Sequence, residues 1–373
     1  ISNCMAAKEG GNQRLAPSCE NFLRDVKLHA LTAEKSALIS ASSTGTVQDA
    51  LQTLCRHKYL SLPLHDSDSG EFVGIANMFD MMTYLCLFVS SEESPKGAPD
   101  VPGTADPDSP PGSPKGNHPK SVTPEHSLSP QMMALEAQLM GDEELKLTAQ
   151  HRSRLLNPVT VILGLSKESR MVWQRDASSS LEDILDIFSK GVHRVLVTGH
   201  EGEEVRMLSQ TDVLLFLANE TTLPKLNPAL LKSSIHDIGF TNHVPKVKAK
   251  TSMHAVEAFR LMVQHEVNAV PVVAEDGTLA GNLSAADLRG VNVAHIEQID
   301  KPILEFLTAV NEGKRPEVVK VTETATLLET MQLLITNSIH RVWIVDGADK
   351  PVGVVTLSDI MRKFSPYDET FSN

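Results

Sequence analysis

Apolar residues recur four times along the chain in one pattern, and that pattern predicts a repeated structural unit. Each copy opens with a small polar residue followed by apolar positions at helical spacing, as at Val47, Leu51 and Leu54. A run of β-branched and aliphatic residues follows, then a turn and a second such run, and an aspartate closes the copy before another apolar stretch. Spacings of three and four residues indicate amphipathic helices, and short apolar runs between turns indicate strands. The sequence therefore predicts four β-α-β-β-α units.

The four copies also agree in length. Between 31 and 34 residues separate the first apolar residue of the helix from the closing aspartate, which is Asp80, Asp212, Asp287 or Asp359. A unit of about 60 residues buries too little apolar surface to be stable alone, so each copy is expected to pair with a neighbour. The predicted fold class is α/β (α+β), built from paired repeats.

The third and fourth copies carry the clearest family signature, in residues 267–287 and 339–359, with Ser284-Ala285-Ala286-Asp287 and Leu357-Ser358-Asp359 as closing motifs. These residues resemble the CBS domain, named after cystathionine β-synthase. Four such units are similar to the gamma (regulatory) subunits of AMP-activated/Snf1-type protein kinases and to their plant and fungal four-repeat relatives. The pairs His193-Arg194 and His340-Arg341 are similar to the gamma subunits, whereas residues 283–290 look closer to the plant and fungal relatives.

The resemblance implies how the copies assemble. Repeat 1 would pair with repeat 2 and repeat 3 with repeat 4 through their sheets, and the two modules would pack into a flat disc. Clefts between paired repeats would then offer up to four sites for adenosine-type ligands.

The domain map follows from the repeats and from one stretch of distinct composition. Residues 91–130 hold ten of the 21 prolines and almost no large apolar side chains, so this segment cannot offset its ordering entropy and is predicted to be a disordered Pro/Ser-rich loop. The predicted map is an N-terminal tail at 1–19, repeat 1 at 20–90, the loop at 91–130, a connecting helix at 131–157, repeat 2 at 158–222, repeat 3 at 230–296, repeat 4 at 312–366 and a C-terminal tail at 367–373.

The closing aspartates are candidate ligand groups. A carboxylate in the first turn of a helix can accept two hydrogen bonds from a ribose diol, and a hydroxyl three residues earlier can reach the ligand or the helix N-terminus. Arginine and histidine suit phosphate oxygens. Repeat 4 ranks first and repeat 2 second, and the full set of nucleotide-binding candidates is Thr356, Asp359, His340, Arg341, Ser209, Thr211, Asp212, His193, Arg194, Ser284, Asp287 and Asp80.

The same motif has a purely structural interpretation. Ser/Thr-x-x-Asp before an apolar run is also a capping box, in which both side chains satisfy free N–H groups of the helix. Two copies lack part of the binding pattern. In repeat 1, Asn77 replaces the hydroxyl and Leu60-Ser61 stands where a His-Arg pair would be. Repeat 3 has Val267-Asn268-Ala269 there, so phosphate contacts would have to come from a neighbouring repeat.

Composition narrows the class of protein. The 34 Lys and Arg against 47 Asp and Glu give a net charge of −13, which argues against a broad nucleic-acid footprint. No apolar run reaches the roughly 18 residues of a membrane span. The four cysteines are scattered without a CxxC pair, so neither a disulfide scaffold nor a metal site is expected, and a cytoplasmic or nuclear setting is favoured. Ile1 is followed by no charged-then-apolar leader, so no secretory signal is expected.

These observations predict a non-catalytic regulatory subunit or adaptor. It would sense AMP, ADP or ATP between paired repeats and, by the resemblance, regulate a Snf1/AMP-activated-type kinase together with that kinase's catalytic and scaffolding subunits. The alternative is a scaffold, or a phosphatase- or kinase-binding regulator, whose clefts are degenerate. No catalytic motif or cofactor motif is present, and an enzyme or transporter with appended repeats is disfavoured because too little chain remains for it.

Overall fold

The structure is a computed structural model, and it shows four small three-stranded sheets, one for each predicted repeat. It describes residues 17–89, 153–199, 204–242, 244–291 and 298–366. In every repeat the chain forms a lead strand, a first helix, a middle strand, a last strand and a closing helix. These five names are used below for all four repeats.

The elements of the first module have regular bounds. Repeat 1 comprises, in that order, Ala41–Ser42, Val47–His57, Ser61–His65, Phe72–Asn77 and Met78–Val89. Repeat 2 comprises Gln174–Asp176, Leu181–Ser189, Arg194–Thr198, Arg206–Ser209 and Gln210–Leu217.

The second module repeats the arrangement with one difference. Repeat 3 comprises Ala249–Lys250, Ala255–Gln264, Ala269–Val273, Leu279–Ser284 and Ala285–Gly290. Repeat 4 comprises Lys320–Thr322, Leu327–Thr336, Arg341–Val345, Pro351–Thr356 and Leu357–Phe364. The closing element of repeat 3 is a short 3-10 helix, where the sequence predicts an ordinary helix.

Strand pairing determines which side chains meet at the end of each sheet. The lead strand runs parallel to the middle strand because the first helix carries the chain back, and the last strand is antiparallel to the middle strand. The register sets the first residue of the middle strand opposite the residue before the closing helix; the pairs are Ser61 with Asn77, Arg194 with Ser209, Ala269 with Ser284, and Arg341 with Thr356. The predicted basic pairs and acidic helix starts therefore lie side by side.

The sheets pair as predicted, repeat 3 with repeat 4 and repeat 1 with repeat 2. Ala269 and Leu279 of repeat 3 pack with Trp343 and Val345 of repeat 4. The indole nitrogen of Trp343 donates to the side-chain oxygen of Asn282 at 3.1 Å across this contact. In the first module, the Ser61 hydroxyl of repeat 1 lies 4.0 Å from the sulfur of Met207 in repeat 2.

Two hydrophobic cores join the modules through their helices. One core combines buried residues of repeats 1 and 3, and the other combines those of repeats 2 and 4. In the second core the side chain of Gln210 donates to the hydroxyl of Ser358 at 2.9 Å. Each repeat thus contacts one repeat through its sheet and another through its helices, and the four form a closed cycle.

The segment that leads into each repeat packs on the other repeat of its module. Leu23, in the helix Pro17–Asp25, and Leu28, just before the helix His29–Thr32, lie in the core of repeat 2 rather than repeat 1. The 3-10 helix Val159–Ile162 leads into repeat 2 but belongs to the core that contains repeat 1.

The second module shows the same exchange. The N–H of Ile235, ahead of repeat 3, donates to the carbonyl of Ala325 in repeat 4 at 2.8 Å. The helix Ile303–Val310, ahead of repeat 4, packs in the core that contains repeat 3. The exchange ties both repeats of a module together, and the sequence analysis did not anticipate it.

The predicted map can be compared with the structure only in part. The loop at 91–130 and most of the connecting helix at 131–157 lie outside the described residues, as does the C-terminal tail at 367–373. Residues 17–19, predicted as part of a tail, belong to the helix Pro17–Asp25, and Cys19 is buried. Among the described residues, no helix has the length and apolar character needed to cross a membrane.

Candidate functional site

All four closing aspartates lie in the first turn of the closing helix, and each caps that helix. One oxygen of each, Oδ2, accepts the backbone N–H of the residue three positions earlier; the N···O distances are 3.0 Å for Asp80, 2.8 Å for Asp212, 2.7 Å for Asp287 and 2.9 Å for Asp359. This bond satisfies an N–H group at the helix N-terminus, as the capping interpretation predicts. Oδ1 of each carboxylate takes no part in it, so the surroundings of Oδ1 decide whether a ligand can bind.

The three hydroxyls predicted as ligand groups form hydrogen bonds within the same helix caps. Ser209, Ser284 and Thr356 each donate to Oδ2 of the following aspartate, at 2.7, 2.9 and 2.6 Å. These side chains therefore orient the carboxylates and reach the helix N-terminus.

The chain itself covers the carboxylate of repeat 1. Oδ1 of Asp80 accepts the backbone N–H of Ser166 at 2.7 Å, and the residue is completely buried. Burial raises the pKa of Asp80 to about 6, although hydrogen bonds from Ser166 and Asn77 oppose this shift. Residues 163–169 lie so close that a Cβ on Gly74 would come within 2.8 Å of the Leu163 side chain. No oxygen of Asp80 remains open to a ligand.

A lysine forms an ion pair with the carboxylate of repeat 2. The ammonium group of Lys35 lies 2.6 Å from Oδ1 of Asp212, and about a quarter of the Asp212 side chain is exposed. The carbonyl oxygen of Lys35 accepts a hydrogen bond from Nε of Arg206 at 3.0 Å, which holds this segment against the last strand of repeat 2.

An arginine from its own helix contacts the carboxylate of repeat 4. Nη1 of Arg362 lies 3.2 Å from Oδ1 of Asp359, and Nη2 donates to the carbonyl of Ser189 in repeat 2. Only 9% of the Asp359 side chain is exposed. In repeat 4, which ranks first by sequence, Oδ1 of Asp359 is therefore already paired with a side chain of the same repeat.

The carboxylate of repeat 3 differs from the other three in the surroundings of Oδ1. No residue within the described ranges has a hydrogen bond to Oδ1 of Asp287, and Asp287 is half-buried. Burial raises the pKa of Asp287, while hydrogen bonds from Ser284 and the charges of Arg289 and Arg341 oppose this shift. Arg341 belongs to repeat 4, so a guanidinium of the paired repeat acts electrostatically on this carboxylate.

Four basic side chains act electrostatically on His340, and the five residues are called here the basic cluster: His193, Arg194, Arg289, His340 and Arg341. Burial, followed by the charges of the other four residues, lowers the pKa of His340 to about 3. Burial also lowers the pKa of Arg341 to about 10, against the attraction of Asp287. His340 is therefore neutral at pH 7, and the three arginines provide the positive charge.

The basic cluster is partly accessible to solvent. Each of its side chains is half-buried, so water retains access to it. Burial nevertheless lowers the pKa of Arg194, and Glu168 and Asp212 oppose this shift. A partly exposed group of cations favours anionic ligands.

Several known proteins resemble this chain. The CBS-domain family model matches residues 237–293 and 314–366. The Arabidopsis thaliana SNF1-related protein kinase regulatory subunit gamma-like PV42b is 26% identical over 379 residues, 91% of this chain and 94% of that relative. The related Arabidopsis protein PV42a is 30% identical over 242 residues, 56% of this chain and 67% of PV42a. The chain belongs to this gamma-like family of CBS-domain proteins.

More distant matches extend across the CBS-domain proteins. The protein SDS23 of Candida albicans is 24% identical and covers 87% of this chain, which spans 49% of SDS23. A crystal structure of an archaeal gamma-AMPK homologue from Methanocaldococcus jannaschii superposes with a TM-score of 0.57 at 16% identity, and covers 91% of this chain and 100% of its own. That likeness supports the four-repeat CBS fold.

The structure of this CBS-domain protein brings some predicted residues together and separates others. Arg194, His340 and Arg341 meet in the basic cluster beside Asp287. His193 also belongs to the cluster, but Glu168 holds its ring nitrogen at 2.7 Å. Thr211 lies in the first turn of the closing helix of repeat 2, next to Asp212, and is half-buried.

Sequence reasoning missed three residues that shape the site: Lys35, Glu168 and Arg289. Lys35 and Glu168 lie in segments that precede a repeat, where no motif marks them. Burial alone would raise the pKa of Glu168, but the hydrogen bond and charge of His193 outweigh it and lower that pKa. The sequence offered one indication for Arg289, because this residue follows Asp287 by two positions in the closing motif. Among the described residues, no group of three or more His, Cys, Asp or Glu side chains could hold a metal ion.

Proposed function

We propose that this protein is a non-catalytic regulatory subunit that binds an adenine nucleotide between repeats 3 and 4. Asp287 would accept hydrogen bonds from the ribose hydroxyls, and the arginines of the basic cluster would bind the phosphates. One observation carries the proposal: none of the described residues has a hydrogen bond to Oδ1 of Asp287. The charge of Arg341, in the paired repeat, acts on the same carboxylate.

The charges explain why a phosphate chain would bind here. The arginines of the cluster repel one another, and Asp287 is the carboxylate that offsets Arg341. A ligand with several negative charges relieves this repulsion and forms charge-assisted hydrogen bonds with planar guanidinium groups. A nucleoside without phosphates would gain only the contacts around Asp287.

Binding would then act on the relative packing of the repeats. The basic cluster draws its residues from repeats 2, 3 and 4, which belong to both modules. A polyphosphate that bridges them favours the arrangement in which these cations are closest. A ligand shifts such an equilibrium only through its different affinity for the two arrangements, and a partner that docks on one arrangement responds to that shift.

The partner in this proposal is a Snf1/AMP-activated-type kinase, with its catalytic and scaffolding subunits. The names of PV42a and PV42b, as SNF1-related kinase regulatory subunits, support this class of partner. Purification of the tagged chain from its source, followed by identification of the bound proteins, tests the partner independently of the ligand.

Calorimetric titration of the full chain with AMP, ADP and ATP tests the ligand. We expect binding in the micromolar range, weakened about ten- to a hundredfold by Asp287→Ala because two hydrogen bonds to a carboxylate are lost. Asp80→Ala is the matched control, since it removes the same helix cap from a covered carboxylate. It should lower the free energy of unfolding by about 1–3 kcal/mol and leave the affinity unchanged. Absence of binding by the wild-type chain, or equal loss in both variants, would contradict the proposal.

A second candidate function is a scaffold, or a phosphatase- or kinase-binding regulator, without nucleotide sensing. Its support is that Ser166, Lys35 and Arg362 of this chain engage three of the four carboxylates. In that case the wild-type chain would show neither heat nor thermal stabilisation with any of the three nucleotides, yet would still retain its protein partner.

A further inference from the structure

The first residue of each middle strand is a cation in two repeats and uncharged in the other two. Arg194 and Arg341 hold this position in repeats 2 and 4, each paired in register with the residue before the closing helix. Ser61 and Ala269 hold the same position in repeats 1 and 3. This strand position therefore carries a cation in only two of the four repeats.

Arg289 of repeat 3 reaches across to repeat 1 at this position. Its Nη1 donates to the carbonyl oxygen of Lys58 at 2.6 Å, and its Nε donates to the carbonyl of Ala286 at 3.1 Å. Lys58 ends the first helix of repeat 1 in a left-handed conformation, with φ of 55°, three residues before Ser61. The two hydrogen bonds hold the guanidinium beside the start of the middle strand of repeat 1.

We propose that Arg289 supplies, from repeat 3, the phosphate-binding cation that repeat 1 lacks, and that it determines the preference of the site for nucleotides with longer phosphate chains. This inference rests on the proposed nucleotide site. It assigns a ligand-binding residue at a position where the chain of repeat 1 offers Leu60 and Ser61.

The charges around Arg289 agree with this position. Its charge contributes to the lowered pKa values of Arg194 in repeat 2 and His340 in repeat 4. Burial lowers its own pKa, and the neighbouring Asp287 opposes this shift. Two hydrogen bonds to carbonyls use two of its five N–H groups, and the remaining donors are available for phosphate oxygens.

A purely structural role for Arg289 makes a different prediction. As a tie between repeats 1 and 3, it would stabilise the fold and affect all ligands alike. As a phosphate-binding residue, it would affect ATP far more than adenosine. The ratio of the two affinities therefore separates the roles.

The experiment compares Arg289→Gln with the matched control Arg315→Gln in the full chain. Arg315 is exposed and donates to the carbonyl of Ala280 at 2.7 Å, so its loss removes an equivalent charge and an equivalent hydrogen bond elsewhere in repeats 3 and 4. The calorimetric probes are ATP, adenosine and inorganic tripolyphosphate. We expect Arg289→Gln to weaken ATP and tripolyphosphate about tenfold or more, with adenosine changed less than about twofold and Arg315→Gln without effect.

Arg289→Lys keeps the positive charge and gives a second test if the glutamine variant is unstable. It should recover part of the ATP affinity, because a lysine lacks the planar fork of donors. Unchanged ATP binding by Arg289→Gln, or an equal loss for ATP and adenosine, would overturn this inference while the proposed function stands. A chain that binds tripolyphosphate but no nucleotide would contradict both the proposed function and the assigned preference for nucleotides with longer phosphate chains. A wild-type chain that binds none of the three probes would contradict both.

Discussion

The four closing carboxylates differ in the surroundings of one atom, Oδ1. Every closing aspartate uses Oδ2 to cap its helix, and a neighbouring backbone or side-chain group then determines whether Oδ1 is open. Ser166, Lys35 and Arg362 each engage one of these oxygens. Around Asp287 the described residues leave Oδ1 open, which moves the best candidate cleft from repeat 4, ranked first by sequence, to repeat 3.

His340 makes the stability of the protein depend on pH. Its pKa of about 3 in the folded chain lies below its ordinary value of about 6.5, because of burial and because Arg194, Arg341, Arg289 and His193 face it. As the pH falls below about 6.5, the unfolded chain takes up a proton at this position and the folded chain does not. Its contribution to stability is therefore present above pH 6.5 and is lost progressively as the pH falls towards 3.

Urea unfolding at pH 7 and pH 5 measures this contribution. We expect the wild-type chain to lose on the order of 1 kcal/mol more than His340→Gln between these two values. His57→Gln, at the end of the first helix in repeat 1, is the control and should behave like the wild type. An equal pH dependence in the wild-type chain and His340→Gln would show that the imidazole is accessible to protons in the folded state.

Sequence alone identified the aspartates, their capping hydroxyls and the two His-Arg pairs. These lie in motifs, and the strand register brings them together as soon as the repeat folds. Lys35 and Arg289 were missed because they act on repeats other than those they precede or close, and Glu168 was missed because it lies 25 residues before His193, outside any motif. Their roles depend on how repeats pack, which no local pattern reports.

At the scale of elements, the leading segments distinguish the two modules. The segment before repeat 2 covers Asp80, and the segment before repeat 1 places Lys35 on Asp212. Both closing carboxylates of the first module are thus contacted by the segments that lead into its repeats. The leading segments of the second module also pack on the other repeat of their module, and none of their described residues has a hydrogen bond to Oδ1 of Asp287.

Removal of the Lys35 ammonium should open the Asp212 cleft. Lys35→Met keeps the apolar stem, and we expect the calorimetric titration of ATP to show a second nucleotide bound per chain. The cost in stability should be below about 1 kcal/mol, because the ion pair is partly exposed. Lys190→Met is the control, since it breaks a comparable pair with Asp186 on the helix surface. An unchanged stoichiometry in Lys35→Met would mean that Lys35 does not exclude a ligand from Asp212.

The helices and strands of the repeats were predictable because each carries its own signal. Amphipathic spacing, capping residues and β-rich runs are local, and all four copies reproduce them. The leading segments carry helical patterns too, but the pattern of Leu23 and Leu28 indicates only that a face is buried. It does not indicate which repeat buries that face, so the exchange within each module was not foreseen.

At the scale of the whole molecule, the two cores that cross between the modules make the halves dependent on one another. Each half, residues 1–220 or 221–373, contains a complete module with its leading segments, yet its helices complete a core with the other half. Sequence similarity to four-repeat proteins predicted the pairing of sheets, and the sharing of cores follows from apolar helix faces that one module cannot cover.

Co-expression of the two halves as separate chains tests this dependence. We expect them to co-purify as an equimolar complex, and each half alone to aggregate or to melt at a much lower temperature. Gln210→Ala should weaken the complex, because it removes the hydrogen bond to Ser358 between the modules. Two halves that are separately soluble, folded and without affinity for each other would contradict the shared cores.

The exchange of leading segments also constrains the order in which a ribosome can complete this fold. Leu23 and Leu28 are synthesised well before Leu181 and Leu214, which belong to the same core. About 190 residues separate Leu23 from Leu214, and their synthesis takes on the order of ten seconds or more at ordinary elongation rates. The helix that contains Leu23 should consequently need chaperone protection until repeat 2 has been synthesised.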